Sequence, residues 1–141
     1  MSETARRAAL PDRTWVLDDL VEHAGIRAAI AVSGDGMLLV KNAALDRADA
    51  ERWAAVSAPL QSCARHGMEP LGYPTGGFEQ VMVQHARGFQ LLQPFGEESY
   101  LVLVTEADAD LGVVATEMQA TAQRLGQEMG TAARTAAGNR P

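Results

Sequence analysis

The chain has 141 residues, of which 47% are hydrophobic and 21% charged, so we expect one globular domain and exclude a disordered or fibrous protein. The net charge is −6 at pH 7 and Lys41 is the only lysine, which argues against nucleic-acid binding because that function depends on clustered cations. Cys63 is the only cysteine, and no segment resembles a signal peptide or reaches the roughly 18 apolar residues of a membrane span, so we expect a cytoplasmic protein without disulfides.

Composition divides the chain into three segments. We predict a flexible polar lead at residues 1–11, a folded domain at 12–130 and a flexible alanine-rich tail at 131–141. Within the domain, apolar residues at helical spacing predict a first helix over 14–24. Gly25 fits the left-handed position that commonly follows the end of a helix.

A β-hairpin is predicted next. Two apolar runs of strand length, 26–33 and 37–43, flank a Gly-Asp-Gly turn, which is typical of a hairpin. Both faces of the first strand are largely apolar, and one face carries the small residues Ala29 and Ala31. We therefore expect this strand to be covered by helices on both sides.

The second predicted helix begins after Asp46, a good N-cap, and ends near His66. Pro59 predicts a kink or an early break. Larger apolar residues at helical spacing are expected to face the sheet, namely Trp53, Val56, Leu60 and Cys63. A stripe of small residues on the opposite face indicates contact with another helix, or an ordinary alanine-rich solvent face, and consists of Ala54, Ala55, Ala58 and Ser62.

The remaining elements are a loop, three strands and a helix. Glycine and proline predict a loop over 67–77, and apolar runs joined by short turns predict antiparallel strands over 78–85, 89–94 and 100–105. A last helix is expected to start near Asp108 or Asp110 and to continue to about Met129. The order of elements predicts an α+β fold, with a five-stranded antiparallel sheet between helices.

No residue pattern indicates catalysis, a cofactor or a metal ion. The histidines lie at no metal-ligand spacing, and the glycine-rich turns lack the Gly-Lys-Ser/Thr of a phosphate loop. The acidic run 106–110 has Leu111 where a calcium loop needs glycine, so we interpret it as a helix cap. Cys63 is expected to be buried as a small hydrophobe rather than to act as a nucleophile.

The whole pattern resembles the Roadblock/dynein light-chain family, in particular its small stand-alone bacterial members of the actinobacterial type. The resemblance runs from about residue 14 to residue 129. It is carried by WVLDDL at residues 15–20, the strand at 26–33 with its SGDG turn, VT at 104–105 followed by ADADLG at 107–112, and EM at 117–118.

The resemblance implies a profilin-like or longin-like architecture, with the second helix on one face of the sheet and the other two on the opposite face. It also implies a homodimer, in which the strand after the second helix pairs across the two-fold axis and the second helices lie side by side. An uncovered edge strand favours such pairing. The implied dimer interface consists of Ala54, Ala55, Ala58, Ser62, Phe78, Gln80, Met82 and Gln84.

The resemblance further implies a non-enzymatic regulator or scaffold that binds a Ras-like small GTPase and stabilises one arrangement of its switch loops. A sensor kinase and a small helical protein are further implied partners, through which the protein could be recruited to a membrane. Arg47, Arg52 or Arg65 is a candidate arginine finger. Two alternatives are a small-molecule sensor, which needs an internal cavity, and a scaffold for kinase signalling that leaves nucleotide turnover unchanged.

Overall fold

The computed structural model describes residues 12–138, so the lead predicted at 1–11 and the tail residues 139–141 lie outside the described residues. The helices and strands, in chain order, are α1 (Thr14–Val21), β1 (Ile26–Ser33), β2 (Leu38–Lys41), α2 (Arg47–His66), β3 (Val81–His85), β4 (Gly88–Phe95), β5 (Ser99–Thr105) and α3 (Leu111–Gly138). Two short 3-10 turns, Glu69–Leu71 and Thr75–Gly77, lie between α2 and β3.

The five strands form one antiparallel sheet in the order β2-β1-β5-β4-β3. β5 is the central strand and β1 is one of its two neighbours, which agrees with their nearly continuous apolar sequences, and β2 and β3 form the two edges. The predicted five-stranded antiparallel sheet is therefore confirmed.

Apolar side chains form a core on each face of the sheet. One core joins α1 and α3 to the sheet face that carries Ala29 and Ala31. The other joins α2 to the opposite face, which carries Ile30 and Val32. This alternation along β1 confirms that helices cover the strand on both sides, because successive side chains of a strand point to opposite faces.

Two predicted strands are shorter in the structure, each for a local reason. β2 ends at Lys41 because a side-chain oxygen replaces a backbone carbonyl at the next step of the pairing with β1. The Ala29 N–H donates to Asn42 Oδ1 at 3.0 Å. β3 begins at Val81 rather than at residue 78, because the Phe78 N–H closes a 3-10 turn on the carbonyl of Thr75 at 3.2 Å.

The first helix also ends earlier than predicted, at Val21. Gly25 follows with φ of +89°, the left-handed conformation expected after the helix, and a Cβ at this position would lie 2.8 Å from the Cβ of Ala109. α3 begins where Asp110 Oδ1 accepts from the Gly112 N–H at 3.0 Å, which confirms that this acid caps a helix. Within residues 12–138, no helix has the length and apolar character needed to cross a bilayer.

α2 is continuous through Pro59, so the predicted early break is wrong. Asp46 is the N-cap as predicted, and its carboxylate accepts from the Asp49 N–H at 3.2 Å. Pro59 and Ala55 are exposed. The Ala55 carbonyl, which loses its helical partner at Pro59, lies on the solvent side of α2, where water can supply the missing hydrogen bond.

Candidate protein-interaction surface

The face of α2 that packs on the sheet is not the predicted one. Its buried residues are small or polar, namely Ala50, Ala54, Ser57 and Gln61. Small side chains let the helix axis approach the sheet closely, so the four larger apolar residues expected there are rotated away from the centre of the contact. Val56 is 63% exposed and Cys63 is exposed, so the expectation that both are buried against the sheet is wrong.

The larger apolar residues form a stripe along one flank of α2. Trp53 is half-buried, and its Nε1–H donates to Gln90 Oε1 on β4 at 3.3 Å. Trp53 also packs against the same core as Val81 of β3. At 100° per residue, Val56 and Leu60 continue this flank of the helix. The stripe is therefore directed along the sheet toward β4 and β3, with Val56 reaching solvent.

The part of the sheet beside this stripe is open. A groove of about 460 Å³ near the β3–β4 turn is lined by Val83, Gln90 and Val104 among others, and it meets the stripe at Gln90, the hydrogen-bond partner of Trp53. These three residues form a cross-strand row over β3, β4 and β5, since Val83 pairs with Gln90 and Gln90 with Val104. They therefore share the face on which α2 packs.

The edge strand β3 completes this region. Within the described residues no strand pairs with its outer edge. Met82 is 49% exposed and Val83 39% exposed. We use the name α2–β3 surface for Val56, Leu60, Cys63, Val81 and Val83 together with the free edge of β3.

The segment that connects α2 to β3 adds further exposed apolar side chains. Met68, Leu71 and Tyr73 are all exposed in it, Leu71 to 78%. The sequence predicted a loop here, and glycine and proline account for its two 3-10 turns. Its apolar residues extend the exposed hydrophobic area next to the end of α2.

The stripe of small residues predicted on the outer face of α2 has a different position. Ala54 is fully buried in the core, so its placement on an outward face is wrong. Ala58 lies beside the β1–β2 turn, where a Cβ at Gly36 would be 3.3 Å from the Ala58 Cβ and 3.7 Å from the Ala55 Cα. Ser62 is exposed. This stripe therefore faces the hairpin turn and solvent, on the flank of α2 opposite the α2–β3 surface.

The residues predicted to contribute from the edge strand are also dispersed. Phe78 is partly buried against the α2 core. Gln80 extends toward the other helical layer, where its Nε2 lies 3.9 Å from the sulfur of Met118. Met82 and Gln84 are exposed and pair across the strands with Leu91 and Phe89, which belong to the α1–α3 side of the sheet.

The three arginines considered as arginine fingers do not converge. Arg47 forms an ion pair with Glu51 at 3.6 Å and Arg52 forms one with Asp49 at 2.8 Å, both within α2. Arg65 instead donates from Nη1 to the hydroxyl of Tyr100 at 3.1 Å, at the other end of α2. The part of the chain that the structure describes contains no group of three or more His, Cys, Asp or Glu side chains suited to a metal ion.

Helical spacing in the sequence does show the stripe of Trp53, Val56, Leu60 and Cys63, but it does not show which neighbour covers it. A second signal was present, since Ala50, Ala54 and Ser57 form an equally regular line of small residues. Such a line is what a helix needs where its backbone approaches a sheet carrying bulky side chains.

Comparison with known proteins identifies the fold. Residues 14–105 match the Roadblock/LC7 domain family, whereas no curated protein matches the chain. The Roadblock/LC7 domain from Streptomyces avermitilis is similar with a TM-score of 0.79 and 23% identity, over 84% of this chain and 98% of that one. MglB from Myxococcus xanthus is similar with a TM-score of 0.75 and 16% identity, over 92% and 99% of the two chains.

Two further structures share this architecture. MglB in a tetrameric arrangement has a TM-score of 0.72 and 23% identity, over 91% of each chain. Profilin IB from Acanthamoeba castellanii has a TM-score of 0.55 and 16% identity, over 84% of this chain and 98% of that one, which confirms the profilin-like architecture. Because the family match spans more than half of the sequence and the fold agrees with it, the chain belongs to the Roadblock/LC7 domain family.

Proposed function

We propose that this protein is a homodimeric, non-enzymatic regulator that binds a Ras-like small GTPase and changes its nucleotide cycle within a signalling complex. The observation that carries the proposal is the α2–β3 surface, an apolar helix flank beside an open groove and a free strand edge. Membership of the Roadblock/LC7 family supports it, since regulation or scaffolding of small GTPases is typical of that family.

The chemistry of this surface supports self-association. A free strand edge pairs readily with another strand, and pairing two β3 edges about a two-fold axis would join the sheets. The same operation brings a second α2 over the groove beside the first, which would bury Val56 and Val83. The tetrameric arrangement of the similar protein MglB is in keeping with this tendency to assemble.

The GTPase would bind the platform formed by the paired helices. Binding one arrangement of the switch loops more tightly than the other shifts the population toward it without added chemistry. Arg47 and Arg52 are paired with acids of their own helix and Arg65 with Tyr100. We therefore assign the regulatory effect to positioning of the GTPase's own groups rather than to an arginine finger.

Self-association is tested with two matched substitutions. Val56→Glu places a charge in the α2–β3 surface, whereas Val113→Glu places one at a similarly exposed apolar position on α3. We expect light scattering to give dimers for the wild type and Val113→Glu and monomers for Val56→Glu, all with unchanged circular dichroism. A monomeric wild type at micromolar concentration would contradict the proposal.

Regulation is tested separately with a purified Ras-like GTPase encoded near the gene for this chain. We expect the wild type and Val113→Glu to change the rate of GTP hydrolysis or nucleotide exchange, and Val56→Glu to lose this effect. A stable complex with unchanged rates would instead identify a scaffold.

A further inference from the structure

A second cavity lies at the opposite flank of α2 from the α2–β3 surface. It has a volume of about 400 Å³ and opens between the β1–β2 turn, the β4–β5 turn and the C-terminal half of α2. The two turns are fixed to each other, since the Gly34 N–H donates to the Glu98 carbonyl at 2.8 Å. In volume the cavity falls within the ordinary range of small-molecule sites.

The wall contributed by α2 contains a polar group without a partner. Gln61 is only 5% exposed, and its Oε1 accepts no hydrogen bond from the described residues. A buried acceptor in this state is costly, and native proteins rarely leave one unpaired. Gln61 lines the cavity, although Oε1 itself is enclosed; a donor in the cavity would pair with Oε1 once rotation of the terminal amide exchanges the positions of Oε1 and Nε2.

Charges of both signs surround Gln61. Arg65 lies one helical turn further along α2, and its hydrogen bond to Tyr100 uses one of five guanidinium donors. Asp35 and Glu98 line the cavity from the two turns. Among the side chains of residues 12–130, none forms an ion pair with any of these three charged groups, although Asp35 accepts a hydrogen bond from Ser33 Oγ.

We propose that this cavity binds a free basic α-amino acid. Such a molecule carries two cationic groups and one carboxylate, which complement the two acids and the one guanidinium of the cavity. Its carboxylate would bind Arg65, its cationic groups would bind Asp35 and Glu98, and one of their N–H groups would donate to Gln61. Charge-assisted hydrogen bonds of this kind are the strong ones.

This site goes beyond the proposed function and does not depend on it. It does, however, bear on α2, because Ala58 of the same helix lies against Gly36 of the β1–β2 turn. A ligand that bridges Asp35 and Gln61 would join this turn to α2 more firmly.

Isothermal titration calorimetry of the full chain with L-lysine and L-arginine tests the proposal. We expect one site per chain. Norleucine lacks the side-chain cation and cadaverine lacks the carboxylate, so both should bind at least about tenfold more weakly. Binding of neither basic amino acid at millimolar concentration, or equal binding of norleucine, would overturn the proposal.

Substitutions assign the binding to this cavity. Glu98→Gln should weaken L-lysine binding about tenfold, whereas Glu97→Gln, at the neighbouring exposed position, should leave it unchanged. Gln61→Leu should also weaken binding about tenfold without lowering the melting temperature, because an apolar residue of similar size replaces an unpaired polar group. Equal effects of the two glutamate substitutions would contradict the assignment.

A lysine side chain of a partner protein offers only part of this chemistry. Nα-acetyl-lysine methylamide retains the side-chain ammonium but has neither the free α-amino group nor the carboxylate. We expect it to bind at least about tenfold more weakly than L-lysine. Equal affinity would show that the cavity takes a basic side chain of a protein instead, and would overturn the assignment to a free amino acid.

Discussion

Asp12 fixes the start of α1 through one backbone hydrogen bond. Its Oδ1 accepts from the Thr14 N–H at 2.8 Å, and hydrogen bonds from the Thr14 backbone and then from the Thr14 side chain hold the pKa of the Asp12 carboxyl below its ordinary value. Since the pKa is lower in the folded state, the carboxylate stabilises the fold above the unfolded pKa of about 3.9, and this contribution is lost as the pH falls through the folded pKa.

We therefore expect Asp12→Ala to lower the melting temperature at pH 7, with the difference from the wild type shrinking as the pH is lowered below about 4. Thermal unfolding across this pH range checks the prediction. Asp12→Asn is the matched control, because its amide oxygen keeps an acceptor for Thr14 without a titrating charge. A deficit in the alanine variant that stays constant with pH would contradict a contribution from the ionised carboxylate.

Gly88 shows a steric constraint at a single residue. A Cβ added there would lie 2.1 Å from the backbone oxygen of Thr105. Any larger residue at this position would therefore push the start of β4 away from the end of β5. We expect Gly88→Ala to lower the free energy of unfolding by about 1–3 kcal/mol, as overpacking does in other cores, measured by urea denaturation. Gly76→Ala, where nothing lies within 4 Å, should change the free energy of unfolding by less than about 0.5 kcal/mol.

At the scale of elements, the sequence predicted which helices and strands exist but not how α2 is turned. Apolar periodicity and glycine turns are local signals, and they identified the order of the three helices and five strands. The orientation of α2 depends on a partner surface. The line of Ala50 and Ala54 meets the bulky side chains of the central strands, whereas Val56 is left for another contact. For the same reason the sequence could not separate a core stripe from an interface stripe.

The contact between α2 and the sheet gives a prediction about Ala54. Because Ala54 is fully buried against the sheet, Ala54→Leu should push the helix outward and lower the free energy of unfolding by about 1–3 kcal/mol. Ala48→Leu, at an exposed position near the start of the same helix, should change it by less than about 0.5 kcal/mol. Urea unfolding of both variants checks the orientation of α2. Equal effects would contradict it.

At the scale of the whole molecule, the two flanks of α2 have different chemistry. The flank toward β3 is apolar and open, which suits a second copy of the chain, whereas the flank toward the turns holds Gln61 and Arg65 in a charged cavity. The sequence suggested an interface stripe on this helix, but tertiary packing alone decided which flank is left open. We therefore expect this one helix to contact a partner on one side and a small ligand on the other.

If the fold is completed by a second copy, its stability must depend on protein concentration. Folded dimers in equilibrium with unfolded monomers are favoured by mass action, so the melting temperature of the wild type should rise steadily over about a hundredfold range of concentration. Val56→Glu removes the apolar contact that we assign to the interface, so its melting temperature should be lower and independent of concentration, while Val113→Glu should behave as the wild type. Scanning calorimetry measures all three. A wild-type melting temperature that does not change with concentration would contradict self-association through the α2–β3 surface, because the stability of a monomer does not depend on its concentration.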